Sequence, residues 1–346
     1  MKKIILIFIA TIIVMLNTCS DNPVNNDDNI PPGRRDYVWT VDTIDIPFST
    51  FRRMWGTSPN DFWAIASAGN FDQTIYHFDG NMWKTDGIYR NIDPLSIWGT
   101  ASDKIWLGGA DGEIWSNEGT DWNEDTVLNV VPGKGIVFEN IWGESWNNVY
   151  AVGAYTDDNL LFNNGVIAHY NGNAWSLVNI EPISNSLVKI YKDFTTNQYF
   201  VRAIKNSLQQ DSTKIFKFSG TNLTEIYGGT FSRENVANME LIGREVYFVT
   251  GRKINKYNGS QFETIYVVNE PNYANAIWGR SQKDLFLAML DGLAHYNGKD
   301  VQYLFNFDHN TTHLSGGYVF DSVVFFSARN FIDGLTLVYK GELSQK

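Results

Sequence analysis

One phrase recurs along this chain and limits what it can fold into. "MWGTSPNDFWAIA" begins at Met54, "IWGTASDKIWLGG" at Ile97, "IWGESWNNVYAVG" at Ile141 and "IWGRSQKDLFLAM" at Ile277. Each copy is Trp-Gly, a short polar turn and an apolar, aromatic-rich run. A second phrase, an aromatic followed by a polar-Gly turn, ends at Gly80, Gly172, Gly259, Gly298 and Gly341, with weaker copies at Gly119 and Gly220. Successive glycines are 39, 53, 48, 39, 39 and 43 residues apart. Seven repeats of strand pattern at that period, with no helical periodicity, predict an all-β, seven-bladed β-propeller of four-stranded blades.

Within a repeat, the innermost strand ends in Trp-Gly and a polar turn leads to the second strand. The third strand ends at the Asp/Asn-Gly hairpin, and a fourth starts at Trp83, Trp122 or Trp175 in the better copies. A blade buries neither face alone, so Trp55, Trp98, Trp142 and Trp278 are assigned to filling the wedge between blades. His77, His169 and His295 each precede the same turn aromatic. A position set by the repeat points to structural hydrogen bonding over metal ligation. The seventh repeat lacks a fourth strand, whereas "VWTVDTI" from Val38 matches "MWKTDGI" from Met82. The N-terminal strand is therefore expected to complete the last blade and remove its open edge.

The first residues stand apart from the repeats. Lys2 and Lys3 precede an uninterrupted apolar run from Ile4 to Leu16, the length of a secretory signal and too short to span a bilayer. It ends in Leu16-Asn17-Thr18-Cys19, which resembles a bacterial lipobox with Cys19 as the lipidated residue. The domain organisation expected is a lipoprotein signal peptide over 1–19, a disordered polar tether over 20–36 and the propeller over 37–346. Arg34 and Arg35 read as two solvated charges. Cys19 is the only cysteine, so the mature domain forms no internal disulfide or thiolate metal site and its core must hold it. Removing Lys2 and Lys3 leaves 25 basic against 38 acidic residues, a net of −13. That charge repels phosphate backbones, and no basic stripe offsets it, so nucleic acid is excluded as a partner. The address expected is the bacterial cell envelope, at the outer membrane or cell surface in preference to the inner membrane, with the membrane held through the lipid on Cys19.

The pattern Trp-Gly-x-Ser-x-x-Asp, an apolar or aromatic pair, Ala-Val-Gly and a later His-Tyr-Asp-Gly-x-x-Trp resembles a repeat of exported bacterial β-propellers. It covers blades one, two, three and six clearly, while blades four, five and seven carry Tyr191, Met239 and Ser315 where Trp is expected. The Gly-x-x-Trp turn is distantly similar to the Asp-box hairpin of sialidase-like propellers, although the Asp-box spacing is not kept. Proteins with such repeats sometimes carry a glucosyltransferase label, and no residues here justify that chemistry.

No motif for catalysis emerges: there is no Gly-x-Ser-x-Gly, His-Glu-x-x-His or Walker loop. Asp157-Asp158-Asn159 offers oxygens to Ca2+, but Phe162 and Ala168 occupy the sixth and twelfth positions of an EF-hand frame, so a solvated acidic loop is preferred and no cofactor is assigned. "FDHNTTH" sets Asp308 near His309 and His313, yet in a loop between strands, where a bland role is preferred to a metal or proton site. Loop lengths carry more information. The Trp-Gly turns and Asn-Gly hairpins are nearly constant, whereas Tyr155–Asn164, Asn206–Thr213 and Thr126–Phe138 expand connections that share one face. Two residues before each Trp-Gly position stand Arg53, Ser96, Asn140, Lys189, Ala237, Ala276 and His313. The ligand site expected is centred on Arg53, Asn140, Lys189 and His313 at the channel mouth, with Tyr155 and Asp157 reaching in. The preferred function is a binding module for a glycan or an envelope protein, without catalytic residues. A carbohydrate-active enzyme at the channel mouth (glycoside hydrolase or lyase, or an enzyme of the glucosyltransferase label) and a structural scaffold of an envelope complex are the alternatives.

Overall fold

The computed structural model describes residues 30–46, 49–67, 70–206 and 211–345. Cys19, the leader and tether residues 20–29 lie outside the described residues. Seven four-stranded antiparallel sheets form the blades of a propeller. Their innermost strands are Arg53–Ser58, Pro94–Ala101, Val137–Ser145, Ser186–Asp193, Ala237–Ile242, Tyr273–Ser281 and Thr312–Val319. Blade seven takes its outermost strand from the other end of the chain. Tyr37–Ile44 pairs with Thr336–Leu343, from Tyr37 opposite Leu343 to Ile44 opposite Thr336. The ring is thereby closed by eight consecutive residue pairs, as the resemblance of the two segments predicts.

The Trp-Gly pair has a physical explanation in contacts between blades. The ring of Trp55 lies over Gly99 of the next blade, where an added Cβ would stand 2.7 Å from the indole, and Trp98 lies over Gly143 in the same way at 2.9 Å. Each glycine also begins a register shift in the strand, and an added Cβ would lie 2.5 Å from the Lys104 carbonyl oxygen at Gly99 and 2.6 Å from that of Asn148 at Gly143. A larger residue would push the blade off its neighbour. The tryptophan fills the wedge, and the glycine makes room for the tryptophan of the blade before it.

The histidines are structural, as their fixed position suggests. Nε2 of His77 meets Asp61 at 2.8 Å, His169 meets Asn148 at 2.8 Å and His295 meets Asp284 at 2.6 Å. Each tie joins a third strand to the first residue of the second strand, just past the turn that follows Trp-Gly. Burial works against the Asp284 carboxylate, but the His295 hydrogen bond and the Arg280 charge hold it below its usual range.

The folded body begins before Tyr37, which corrects the expected end of the tether and the solvated arginines. The Gly33 N–H donates to the Lys283 carbonyl at 2.7 Å. Arg35 donates to the carbonyls of His295 (2.8 Å) and Asp300 (2.5 Å) and pairs with the Asp300 carboxylate at 2.7 Å. Arg34 pairs with Asp36 and donates to the Ser344 carbonyl at 2.6 Å. This short arm lies on the face of the constant turns, against blade six.

Candidate functional site

A cavity of about 660 Å³ runs down the propeller axis, lined by residues of all seven innermost strands. It includes Arg52, Ala274, Leu290 and His313, at strand ends on the side of the variable loops, and so opens on that face. Four of the six expected site residues, Arg53, Asn140, Lys189 and His313, are among its lining. Trp55, Trp98, Trp142 and Trp278 line it too, Trp55 and Trp142 with under a tenth of their surface open.

Tyr155 and Asp157 do not join them, which corrects the expectation that they reach in. Asp157 spends both carboxylate oxygens on its own loop. Oδ1 accepts the N–H of Asn159 (2.8 Å) and of Leu161 (3.0 Å), and Oδ2 accepts the Asn163 amide at 3.0 Å. Those donors hold its pKa below the usual value. Tyr155 continues the strand ladder opposite Asn164 and packs against the core between blades two and three. His313 is exposed at the rim, its Nε2 2.9 Å from the His309 carbonyl and its ring edge-on to Phe331. Asp308 bonds Asn310 at 2.9 Å. Among the described residues, no group of three or more His, Cys, Asp or Glu side chains is placed to hold a metal.

The repeat position itself is revised in two blades. Across the first hairpin, Trp55 faces Trp63, Trp98 faces Trp106, Trp142 faces Tyr150, Tyr191 faces Phe200 and Trp278 faces Phe286. In blade seven the equivalent pair is Tyr318 and Phe325, so Tyr318 rather than Ser315 takes the place of tryptophan, and its hydroxyl donates to the Gly56 carbonyl of blade one at 3.2 Å. In blade five the residue opposite Tyr247 is Glu240, not Met239. Tyr247 packs against Ile277 and Leu285 of the next blade, as Trp63 does against Ile97 and Ile105. One carboxylate thus interrupts an otherwise aromatic ring.

Polar side chains gather at that interruption. Lys189 donates to Glu240 Oε2 at 2.6 Å and to the Met239 carbonyl at 2.9 Å, and the Tyr191 hydroxyl donates to Glu240 Oε1 at 3.2 Å. Burial lowers the Lys189 pKa, Glu240 opposes that shift, and the charges of Arg53 and Arg202 add to it. Arg202 is brought down to about 10 by burial and then by Arg53. Arg53 belongs to blade one and the other two to blade four, so its charge acts across the channel. The amide oxygens are already engaged, that of Asn238 by the Met239 N–H at 2.9 Å. Asn140 accepts the Ile190 N–H at 2.9 Å, and Asn238 donates to the Asn275 carbonyl at 3.0 Å. Both bonds bridge neighbouring blades.

On the same face, the loops carry exposed apolar tips: Phe71 and Tyr89, whose tilted rings lie 5.4 Å apart, Leu160, Phe231, Phe331 and Ile332. Arg202, Asn238, Glu240 and these tips are the parts of the site that the repeat alignment did not single out.

No protein-family model matches the chain, and no curated protein matches it significantly. Solved propellers do. YCF48 bound to D1 peptide aligns with TM-score 0.58 and 13% identity over 90% of this chain and 99% of that one. A catalytically inactive virginiamycin B lyase from Staphylococcus aureus with quinupristin gives 0.62 and 11% over 89% and 100%. The WD40 propeller domain of Doa1 gives 0.55 and 12% over 89% and 97%. At such identities the likeness establishes the fold, a seven-bladed propeller distantly related to these, and no more.

Proposed function

We propose that the protein is an exported, lipid-anchored binding module of the bacterial envelope, holding a segment of a partner protein at the variable-loop face. The observation that carries this reading is the axial cavity opening on the face where six exposed apolar loop tips gather. Six large apolar side chains around a polar-lined mouth suit a protein surface, where apolar rim contacts and a few oriented polar groups divide affinity and specificity. The peptide-bound YCF48 propeller supports it as a precedent for the fold. Binding without turnover fits the same reading, because Asn140, Lys189, Asn238 and Glu240 are tied into contacts between blades. The arm from Gly33 to Asp36 leaves from the opposite face.

A photo-crosslinker placed at Leu160 or Phe331, compared with Met82 on the constant face, tests the reading in cells. Protein adducts from the first two positions and none from Met82 are expected. Adducts from Met82 alone would put the partner on the wrong face, and polysaccharide adducts would favour a glycan on the partly exposed Trp98 and Trp278. Cys19→Ala should release the folded protein from the membrane fraction, and an unmodified mature N-terminus by mass spectrometry would refute the anchor.

A further inference from the structure

The channel reverses the charge of the molecule that surrounds it. The chain outside the leader carries a net of −13, yet the cavity is lined by Arg52, Arg53, Lys189 and Arg202 against one lining carboxylate, Glu240, and Glu139 beside Asn140 adds a second charge that acts on Arg202, leaving the cations in excess. Glu240 is taken up by Lys189 and Tyr191. Among the described residues, Arg53 makes no carboxylate pair, and its guanidinium donates only to the neighbouring Arg52 carbonyl at 3.3 Å. Arg202 uses Nε on the Ala237 carbonyl at 2.7 Å and likewise makes no carboxylate pair. Like charges facing one another across a cavity repel more strongly than in open water, so the arrangement stores unfavourable energy that an anion would relieve.

We propose that the channel receives acidic side chains of an extended peptide, with Arg53 and Arg202 as the carboxylate receptors and Arg52 at the rim. This rests on the binding-module reading and names its ligand chemistry. A carboxylate accepts hydrogen bonds only, and the two guanidinium groups offer donors in the fork that matches it. A neutral sugar needs both donors and acceptors, whereas the amides that would supply them, Asn140 and Asn238, already bridge blades. An acidic glycan would satisfy the arginines equally but would leave the apolar tips Leu160, Phe231, Phe331 and Ile332 without contacts, which side chains flanking an acidic segment provide. A volume of about 660 Å³ fits a few residues rather than a folded domain.

The test is calorimetric titration of the detergent-solubilised full chain with hexaglutamate, hexaglutamine and a galacturonate hexamer. Hexaglutamate should bind, more weakly as salt rises, and hexaglutamine at least about tenfold more weakly, as expected for loss of charge-assisted hydrogen bonds. Arg53→Gln should weaken hexaglutamate about tenfold while keeping the melting temperature, since Arg53 ties no blade to another. Lys299→Gln, the same loss of charge on the constant face, should change nothing. Equal affinity for hexaglutamate and hexaglutamine, or indifference to Arg53→Gln in a folded variant, overturns the proposal. Tighter, Arg53-dependent binding of the galacturonate hexamer overturns the peptide as ligand class. Failure of hexaglutamate with protein crosslinks intact at Leu160 and Phe331 removes the acidic ligand alone, and loss of both removes the binding module with it.

Discussion

Glu113 gives the sharpest quantitative prediction for the fold. It opens the third strand of blade two, Glu113–Asn117, with 9% of its surface exposed, at the end nearest the variable loops. Burial raises its pKa first, and the carboxylates of Asp111, Glu124 and Asp93 raise it further against one backbone hydrogen bond, to about 7 from 4.5. A carboxyl with a folded pKa above its unfolded one favours folding when protonated. Its contribution is fully present below pH 4.5 and is lost as pH rises through about 7. The full shift corresponds to about 3 kcal/mol at ~1.4 kcal/mol per pH unit; solvent reaching the carboxyl reduces this to roughly 1–2 kcal/mol. Glu113→Gln keeps the shape and removes the charge, so the variant should melt about 2–4 °C above wild type at pH 8.5 and level with it at pH 4. Scanning calorimetry of both proteins at the two pH values decides it. An equal gain at both, or a loss at pH 8.5, would show that the carboxylate is not the strained species.

Three further outcomes follow from the same contacts. Trp39 meets Phe305 at 4.9 Å and covers Gly341, so Trp39→Ala should cost about 3 kcal/mol, and deleting Tyr37–Ile44 should lower the melting temperature further and promote aggregation through the bared edge; unchanged melting in the deletion would refute the ring closure. An added Cβ at Gly33 would lie 2.6 Å from the Asp284 carboxylate, so Gly33→Val should free the arm and speed tryptic cleavage after Arg35 while the body melts as before. Glu240→Gln leaves Lys189 buried among arginines and should destabilise by about 3 kcal/mol, whereas adding Lys189→Met should recover most of the loss in a double-mutant cycle.

Much of the fold could be read from the repeat because its two anchors answer to separate constraints. Glycine at the third-to-fourth turn meets a backbone demand, with φ of +93° at Gly80, Gly119 and Gly172. Trp-Gly meets a packing demand between blades, the indole of one lying on the glycine of the next. Either alone would give a period; together they also place strand order and direction. The closing strand was legible for the same reason, since Trp39 repeats the role of Trp83 at a fourth-strand start.

Register was less legible where the first hairpin changes shape. In blades one, two, three and six a shift follows Trp-Gly, from Gly56 to Ser58 and its equivalents, so counting back from the turn finds the wedge residue. Blade five has no such shift: Ile242 faces Glu245 across a two-residue turn, and counting back lands on Met239, one residue short of Glu240. Blade seven keeps the earlier shift, Leu314 to Gly316, which blades two, three and four also have four residues before the wedge, but lacks the later one, and its wedge residue is Tyr318. The aromatic of the second strand, Tyr247 or Phe325, is the better ruler, because it must face the wedge residue whatever the turn does.

The same distinction separates the expected site residues that reach the channel from those that do not. Arg53, Asn140 and Lys189 occupy ladder positions on innermost strands, which line the channel, whereas Tyr155 occupies a ladder position on a second strand and packs between blades. Loop length indicated where Tyr155 and Asp157 belong, but length says nothing about how a loop satisfies its own polar groups. A carboxylate within about four residues of free N–H groups is captured locally before it reaches a ligand, as Asp157 is by Asn159 and Leu161. Arg202 escaped notice for the converse reason. It lies on the second strand, opposite Lys189, and only its long side chain carries its charge forward into the channel. The inner surface of a propeller is therefore written on two strands per blade, and reading the first alone recovers the walls while missing part of the charge.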